Sequence, residues 1–575
     1  MTGIGNAAAE PSVWWSLAER LQAFGVQHSF GLPGDDMVAL VALEQSGIGV
    51  HLAADQRHAV YSAVAYARLS GTVGISFVGK GPAVTHAASG VLEAQAMRTP
   101  LLLLTSGVPP HRLGSRAFQE LDAVEVLKPL TKWARRVCTP ETALSLLDEA
   151  LWQATTGTPG AVCLEIPEGM ASTPAGAGAP SRRVGRTSAV LDPVPGAASL
   201  LDAARRPVLL VGGGSRGPGV GALVTALADR MGAAILCTAS GRGVVDESSP
   251  WFLGLSGLYA AEPAVEILKA ADLVVALGSQ LEETTTYGWP EPPPPMLQVN
   301  VTASELSPRF RGQSLVADVS AALRSWSGRD CSRRGDEAGV SSWREEVRSA
   351  RRDIMAGPLL PTASGPTEPP RVREVLAAVD SVVPAPRVSL HENGLQDMWS
   401  YFFPAWQVRG GSDCLVPSEQ TPLGFAFAAA PGAVLAAQGR PVVVIGGDGA
   451  FSAALSDLAT LAEVRCPLLL VVLANGGFGW LEVNLRNRAG SGSAADVSFL
   501  RSRRPHAAVS AAYGIPHVRC GERRELPEAV QAAWSRCRSG GPVVLEVEVS
   551  LTDVPPGMEQ LAGDFPGAAS LVEVG

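Results

Sequence analysis

Asp448 and Asn475 stand 27 positions apart, and each follows a run of apolar residues. The two runs, PVVVI and PLLLVVL, have strand length, and a helix-length segment lies between them. Carboxylate and amide oxygens are ligands for hard cations, and Mg²⁺ typically takes one or two carboxylates together with phosphate oxygens. The neighbouring glycines allow a backbone to approach a diphosphate closely. The pattern therefore predicts a clamp for Mg²⁺ and a diphosphate group.

Several longer patterns accompany this clamp. The segment from Gly446 to Gly477 resembles the signature of enzymes that depend on thiamine diphosphate (ThDP). DQRHAVYSAVAYARLSG resembles the family helix HEQxxxxxAxGYARxxG, and KGPAVTH resembles the family turn SGPGxTN, with Ala83 and His86 in place of Gly and Asn. RAFQELDAV, GLQDMWS and LGFAFAAAPGA resemble three further family segments. The resemblance extends over nearly the whole chain and indicates the acetohydroxyacid synthase and benzaldehyde lyase type.

The resemblance implies a role for each matched residue in the last third of the chain. Asp448, Asn475 and the backbone carbonyl of Gly477 are the expected Mg²⁺ ligands. Leu423 is the expected apolar wedge that keeps the cofactor bent, although its position alone would favour an ordinary core leucine. The residues expected to contact the cofactor are Gly394, Leu395, Gln396, Leu423, Gly447, Asp448, Gly449, Ala450, Asn475, Gly477 and Phe478.

One position departs from the family in a way that affects catalysis. The family has a glutamate ten residues before the tyrosine of its GYAR motif, and here Gln56 stands ten residues before Tyr66. An amide cannot ionise, although its NH₂ group still donates hydrogen bonds. Asp55 would replace the glutamate only after a one-residue shift, and adjacent residues of a predicted strand point to opposite faces. We therefore expect Gln56 to be the counterpart, and loss of an acid–base group typically costs about 10²- to 10⁴-fold in rate.

Substrate-side proton transfer has four further candidates, one of which is His58 at the start of a predicted helix. Gln119 lies in the AFQE segment, which carries an active-site glutamine in the family. His28 precedes the Gly-Leu-Pro-Gly turn, where we expect the end of a strand, and His86 replaces an asparagine at the mouth of another turn. A packing role is the alternative for each histidine. The predicted catalytic set is therefore Gln56, Gln119, His28 and His86.

Strand-length apolar runs alternate with amphipathic helical segments, as in parallel α/β sheets. The predicted fold class is α/β, with three doubly wound parallel-sheet domains. We expect a pyrimidine-binding domain over residues 1–185, a central Rossmann-like domain over 190–340, and a diphosphate- and Mg²⁺-binding domain over 365–555. A C-terminal tail would occupy residues 556–575.

Composition excludes other function classes. A net charge of −9 without a basic block argues against nucleic acid as a partner. No apolar run is long enough to cross a membrane, and the N-terminus shows no signal-peptide pattern, so we expect a cytoplasmic protein. The eight cysteines are scattered without a CxxC pair, which favours reduced thiols.

The resemblance implies a ThDP- and Mg²⁺-dependent carboligase or decarboxylase that converts a 2-oxo acid such as pyruvate to an acyloin, as acetolactate synthase does. Two alternatives stay open: a benzaldehyde lyase-like enzyme that cleaves 2-hydroxy ketones, and a catalytically weak ThDP-binding scaffold, because of Gln56. FAD is not expected, because Gly278-Ser279-Gln280 replaces the Gly-Ala-Arg of acetohydroxyacid synthases. The expected partners are a 2-oxo acid and a carbonyl acceptor, in a homodimer or homotetramer with active sites at the subunit interface.

Overall fold

A computed structural model gives the architecture of the chain. It describes residues 12–32, 34, 37–170, 173–174, 195–327, 337–357, 365–418, 420–489 and 505–558. Within these residues the strands form three six-stranded sheets, and each paired strand runs parallel to its neighbour. The predicted α/β class with three parallel sheets is confirmed. Of the predicted tail, residues 559–575 lie outside the described residues.

The first sheet has the strand order β2-β1-β3-β4-β6-β5. Its strands are β1 (His28–Leu32), β2 (Gly49–Leu52), β3 (Gly74–Val78), β4 (Leu101–Gly107), β5 (Trp133–Arg136) and β6 (Ala161–Pro167). The accompanying helices are α1 (Val13–Phe24), α2 (Val38–Gln45), α3 (Gln56–Ser70), α4 (Pro82–Ala96), α5 (Ala123–Leu127) and α6 (Ala143–Thr155). The strands β3, β4 and β6 are buried along their whole length, which explains their continuous apolar runs.

The second sheet has the order β12-β11-β10-β7-β8-β9. Its strands are β7 (Pro207–Val211), β8 (Ala234–Cys237), β9 (Phe252–Leu255), β10 (Leu273–Leu277), β11 (Met296–Asn300) and β12 (Gly312–Val316). Its helices are α7 (Pro195–Ala203), α8 (Val220–Met231), α9 (Glu262–Lys269), α10 (Glu283–Thr286), α11 (Val319–Ser327) and α12 (Glu337–Ala356). This order is that of a Rossmann sheet, as predicted for the middle of the chain.

The third sheet repeats the order of the first, as β14-β13-β15-β16-β18-β17. Its strands are β13 (Val388–His391), β14 (Asp413–Leu415), β15 (Val442–Gly447), β16 (Leu468–Ala474), β17 (His517–Cys520) and β18 (Pro542–Glu548). Its helices are α13 (Val372–Val382), α14 (Phe425–Ala437), α15 (Asp448–Ala453), α16 (Leu458–Ala462), α17 (Gly479–Ala489), α18 (His506–Ala512) and α19 (Leu526–Cys537). The first and third sheets therefore share one topology.

The chain divides into two compact units. One unit comprises Met1–Thr187 with Pro431–Ala436, and the other comprises Ser188–Ala430 with Ala437–Gly575. The first sheet belongs to the first unit, and the second and third sheets belong to the second. Among the described helices, none has the length and apolar character that crossing a membrane requires.

Candidate cofactor site

The third sheet offers a ligand-binding edge between β13 and β15. Strand order reverses at this point, and open α/β sheets bind ligands in the crevice at the carboxyl ends of the two strands concerned. Gly394 to Asp397 follow β13, and Asp448 opens α15 directly after β15. The GDG segment therefore stands at the predicted edge.

Two turns meet at this edge and bring the predicted metal ligands together. Asp448 is only 4% exposed, and its Oδ2 accepts a hydrogen bond of 3.1 Å from the Gly476 N–H. Asn475 Oδ1 accepts from the Gly477 N–H at 3.0 Å. A Cβ added to Gly449 would lie 3.1 Å from the Phe478 ring and 3.5 Å from the Gly477 carbonyl oxygen. The residues Asp448, Asn475 and Gly477 thus lie on adjoining turns.

The donor set of these turns fits a hard divalent cation. It combines one carboxylate, one amide oxygen and one backbone carbonyl, which are the oxygen ligands that Mg²⁺ accepts. The Asn475 amide is oriented by its Nδ2, which donates to Gln396 Oε1 at 2.7 Å. The first N–H groups of α15, at Gly449 and Ala450, have no partner inside the helix and suit an anion such as a diphosphate.

Asp397 is a buried carboxylate that the sequence analysis missed. Its Oδ2 accepts from the Gly394 N–H at 3.1 Å and from the Gly447 N–H at 2.9 Å, so it ties the turn after β13 to the turn after β15. Burial raises the pKa of Asp397 to about 7, and the nearby charge of Asp448 acts in the same direction. The sequence does contain a signal for this role, because Asp397 stands three positions after Gly394, in the turn that follows β13.

Glu392 is the second missed carboxylate. It directly follows β13, and its Oε1 accepts a hydrogen bond of 2.7 Å from the Ala426 N–H at the start of α14. Burial raises the pKa of Glu392 to about 8, with a further contribution from Asp397. Glu392 therefore fixes the loop that carries Leu423, just as Asp397 fixes the glycine turns.

Four of the expected cofactor residues also have contacts within the chain, and their contact with a cofactor stays a prediction. The N–H groups of Gly394 and Gly447 donate to Asp397. The Leu395 side chain is buried in the hydrophobic core. Gln396 is also buried and donates to the Leu551 carbonyl at 2.9 Å, so it supports Asn475.

Leu423 is exposed, as the proposed role of an apolar wedge under the cofactor requires. Its side chain is 54% exposed, which excludes the alternative of an ordinary core leucine. It immediately precedes Gly424, which adopts a left-handed conformation with φ of 84° at the start of α14. Its contact with a cofactor remains a prediction.

Replacing Asp397 with alanine is expected to weaken ThDP binding about 10- to 100-fold, because the part-buried N–H groups of Gly394 and Gly447 lose their acceptor and the two turns loosen. Asp397→Asn keeps an acceptor oxygen and should retain affinity within about threefold. Calorimetric titration with ThDP and Mg²⁺ measures both. Equal affinities for Asp397→Ala and the parent chain would contradict the positioning role.

A hydrogen-bond network of two histidines contacts α15 through Ser452. Ser452 Oγ lies 3.0 Å from His506 Nε2, and His506 Nδ1 lies 3.1 Å from Glu546 Oε2. His517 Nε2 lies 3.1 Å from the same oxygen. Burial acts to raise the pKa of Glu546, but hydrogen bonds with the two histidines outweigh it and lower the pKa to about 2. The network anchors the helix that begins with Asp448.

The carboxyl edge of the first sheet holds three of the four predicted catalytic residues, namely Gln56, His86 and Gln119. Gln56 is the first residue of α3, and its Oε1 lies 3.1 Å from His86 Nδ1 on α4. The expectation that this position lies on a strand is wrong, because β2 ends at Leu52. Asp55 is the N-cap of α3 and accepts the Arg57 N–H at 2.8 Å, so its carboxylate is already engaged. The structure thus pairs Gln56 with His86.

Gln119 lies at the same edge, beside the turn that follows β3. A Cβ added to Gly81 would lie 2.8 Å from the Gln119 carbonyl oxygen, so only glycine allows this approach. Gln119 is exposed and has a left-handed φ of 56°. Its position is compatible with the predicted substrate contact.

His28 is not at a ligand-binding edge. It is the first residue of β1 and pairs with Gly49, the first residue of β2, so it lies at the amino end of the sheet. Its Nδ1 lies 3.1 Å from His51 Nε2, and burial lowers its pKa. The expectation that His28 ends a strand was wrong, and we remove it from the catalytic candidates.

The glycine-rich turn after β7 in the second sheet packs backbone against backbone. A Cβ added to Gly212 would lie 2.3 Å from the Gly278 carbonyl oxygen. Arg216 forms an ion pair of 3.0 Å with Asp413 and donates to the Cys414 carbonyl at 2.7 Å. The turn therefore has a packing role here, and the expectation about FAD remains a prediction.

Comparison with protein families agrees with these two edges. Models of the thiamine pyrophosphate enzymes match in three parts: the N-terminal TPP binding domain over residues 13–126, the central domain over 194–325, and the C-terminal TPP binding domain over 393–547. The chain belongs to the thiamine pyrophosphate enzyme family. It is a ThDP-dependent enzyme, and the Asp448 edge lies in its C-terminal TPP binding domain.

Curated relatives of this ThDP-dependent enzyme match it over more than nine-tenths of its length. The acetolactate synthase large subunit of Parasynechococcus marenigrum is 28% identical over 579 residues, covering 94% of this chain and 89% of the relative. A probable acetolactate synthase large subunit of Methanocaldococcus jannaschii is 26% identical, with 94% and 93% covered. Acetolactate synthase isozyme 2 of Escherichia coli is 26% identical, with 93% and 96% covered.

Proposed function

We propose that this chain is a ThDP- and Mg²⁺-dependent carboligase that joins a 2-oxo acid such as pyruvate to a carbonyl acceptor, in the manner of an acetolactate synthase. The observation that carries the proposal is the meeting of Asp448, Asn475 and Gly477 on adjoining turns within the C-terminal TPP binding domain. The named relatives support the substrate class because they match over more than nine-tenths of this chain.

Each group of residues has a distinct task in this proposal. Asp448 and Asn475 hold the cation that binds the diphosphate, while Asp397 and Glu392 keep the surrounding turns in place. ThDP supplies, when bound, a carbon nucleophile and an electron sink for 2-oxo acid chemistry. Gln56 presents its NH₂ group, since its oxygen lies against His86. Gln119 orients the substrate from the first sheet.

The overall reaction balances without a redox partner. Two pyruvate anions and one proton give one acetolactate anion and one CO₂. One C–C bond forms between the donor and acceptor carbonyl carbons, and the bond between the donor and its carboxylate breaks. We also propose that the chain acts as a homodimer or homotetramer with active sites at the subunit interface, which light scattering of the purified chain tests.

The deciding experiment incubates the purified chain with ThDP, Mg²⁺ and pyruvate and identifies products by mass spectrometry. Acetolactate together with CO₂ is the expected result. Cleavage of 2-hydroxy ketones without reaction of pyruvate would replace the proposal with the benzaldehyde lyase-like alternative. Binding of ThDP without turnover of either substrate class would support a catalytically weak scaffold, which Gln56 keeps open.

A further inference from the structure

The first sheet carries a buried positive charge at its carboxyl edge. Lys80 lies in the turn between β3 and α4, and only 9% of it is exposed. Its ammonium group forms an ion pair with Glu168, which directly follows β6. A buried ammonium is costly to maintain without a paired anion. The ion pair lies at the carboxyl ends of β3 and β6, the edge at which open α/β sheets bind their ligands.

The surroundings of Lys80 suit a small organic anion. The Phe118 side chain is 72% exposed, and Lys80 Nζ lies 5.9 Å from the centre of its ring. Gln119, the predicted substrate contact, is the next residue. The helix α4 begins at Pro82, and the N-terminus of a helix adds a partial positive charge. A cation and an apolar ring thus lie close together beside the backbone of Gln119.

The backbone around this cluster is fixed by the end of β4. Thr105 Oγ1 donates to the Gly79 carbonyl at 2.9 Å, which holds the turn that carries Lys80. The Glu168 N–H donates to the Gly107 carbonyl at 2.8 Å, which holds the other partner. Lys80 is therefore placed by the sheet itself, as a specificity-determining side chain must be.

We propose that Lys80 binds the carboxylate of the acceptor substrate and so selects an anionic 2-oxo acid over a neutral aldehyde. The proposal rests on the carboligase function. An ammonium group stabilises a bound carboxylate. This would slow the donor substrate, which must lose its carboxylate as CO₂, but not the acceptor substrate, which keeps its carboxylate.

Oxamate, an unreactive anion of the size of pyruvate, tests the site without turnover. Calorimetry on the full chain with ThDP and Mg²⁺ should show saturable oxamate binding that Lys80→Met weakens about 10- to 100-fold, the range expected for a charged hydrogen bond. Lys80→Arg should restore binding to within about tenfold, since the charge is kept. Lys128→Met changes an exposed lysine of the same domain and is the matched control.

Glu168→Gln separates a substrate anchor from a structural ion pair. Both Lys80→Met and Glu168→Gln break the pair, but only the second keeps the cation. The proposal expects Glu168→Gln to bind oxamate at least as tightly as the parent chain. Equal weakening by both variants, equal binding by Lys80→Met and the parent, or no oxamate binding by the parent would overturn it.

Product selectivity gives the second readout. With pyruvate as donor, 2-oxobutyrate and benzaldehyde compete as acceptors, and Lys80→Met should lower the ratio of acid product to ketone product by about 10- to 100-fold. An unchanged ratio in an active variant overturns the Lys80 assignment and leaves the carboligase function intact. If oxamate binding depends on Lys80 but the chain makes no product, the anion site is supported and the carboligase function is refuted.

Discussion

Replacing Asp448 with alanine is expected to weaken ThDP binding in the presence of Mg²⁺ by at least about 100-fold, which corresponds to about 2.7 kcal/mol. Asp448 is the one charged group among the three proposed cation ligands. Its Oδ2 also accepts the Gly476 N–H, so the substitution loosens the turn that carries Asn475 and Gly477. Loss of a charged hydrogen bond typically costs about 1.5–3 kcal/mol before the metal ligand itself is counted.

Calorimetric titration of ThDP with and without Mg²⁺ measures this effect. Asp448→Asn keeps the size of the side chain and an acceptor oxygen but removes the charge, so its affinity should fall between that of the parent and that of the alanine variant. Glu463→Ala removes an exposed carboxylate from the same domain and serves as the control. Undiminished Mg²⁺-dependent binding in Asp448→Ala would exclude Asp448 as a cation ligand.

The variant Gln56→Glu is expected to raise kcat about 10- to 100-fold, because it restores a group that can exchange protons and such groups typically contribute 10²- to 10⁴-fold. Gln56 stands at the start of α3, and its oxygen lies 3.1 Å from His86 Nδ1. A glutamate there would keep the contact with His86, which stabilises the ionised carboxylate. We expect a smaller increase in kcat than the full 10²- to 10⁴-fold, because the residues around position 56 accommodate a neutral side chain.

The rate of CO₂ release from pyruvate, followed across pH, distinguishes the possible outcomes. The variant should acquire a titration in its pH–rate profile that the parent chain lacks. Gln22→Glu introduces the same change on the exposed side of α1 and should leave the profile as it was. An equal or lower kcat without a new titration would indicate that the site works through an uncharged pocket, in which a carboxylate is unfavourable.

Local patterns in the sequence were sufficient for the buried strands and for placing the proposed metal ligands at strand ends. The buried strands β4, β15 and β16 appear as continuous apolar runs because both their faces are covered. Asp448 and Asn475 each directly mark the end of a strand, so their proximity follows from parallel strands with a common carboxyl edge.

Strand and helix boundaries were the first source of error. His28 was assigned to the end of a strand, although β1 begins at His28 and continues to Leu32, because the mixed run GVQHSFGL does not mark where a strand starts. Gln56 was assigned to a strand, although Asp55 before it is a typical N-cap residue and indicates the start of a helix.

Contacts between distant segments were the second source of error. Asp397 acts on Gly447 and Glu392 acts on Ala426, through backbone N–H groups that carry no sequence signal. The pair of Lys80 with Glu168 joins residues 88 positions apart. Such partners become visible only after the sheet order places their loops side by side.

The most direct test of the account is a calorimetric titration of the purified chain with ThDP, first with Mg²⁺ and then with the cation removed by a chelator. Saturable binding that is lost with the cation and restored by added Mg²⁺ is the predicted result. No heat of binding under either condition, or binding of equal strength without any divalent cation, would contradict the proposed site at Asp448, Asn475 and Gly477.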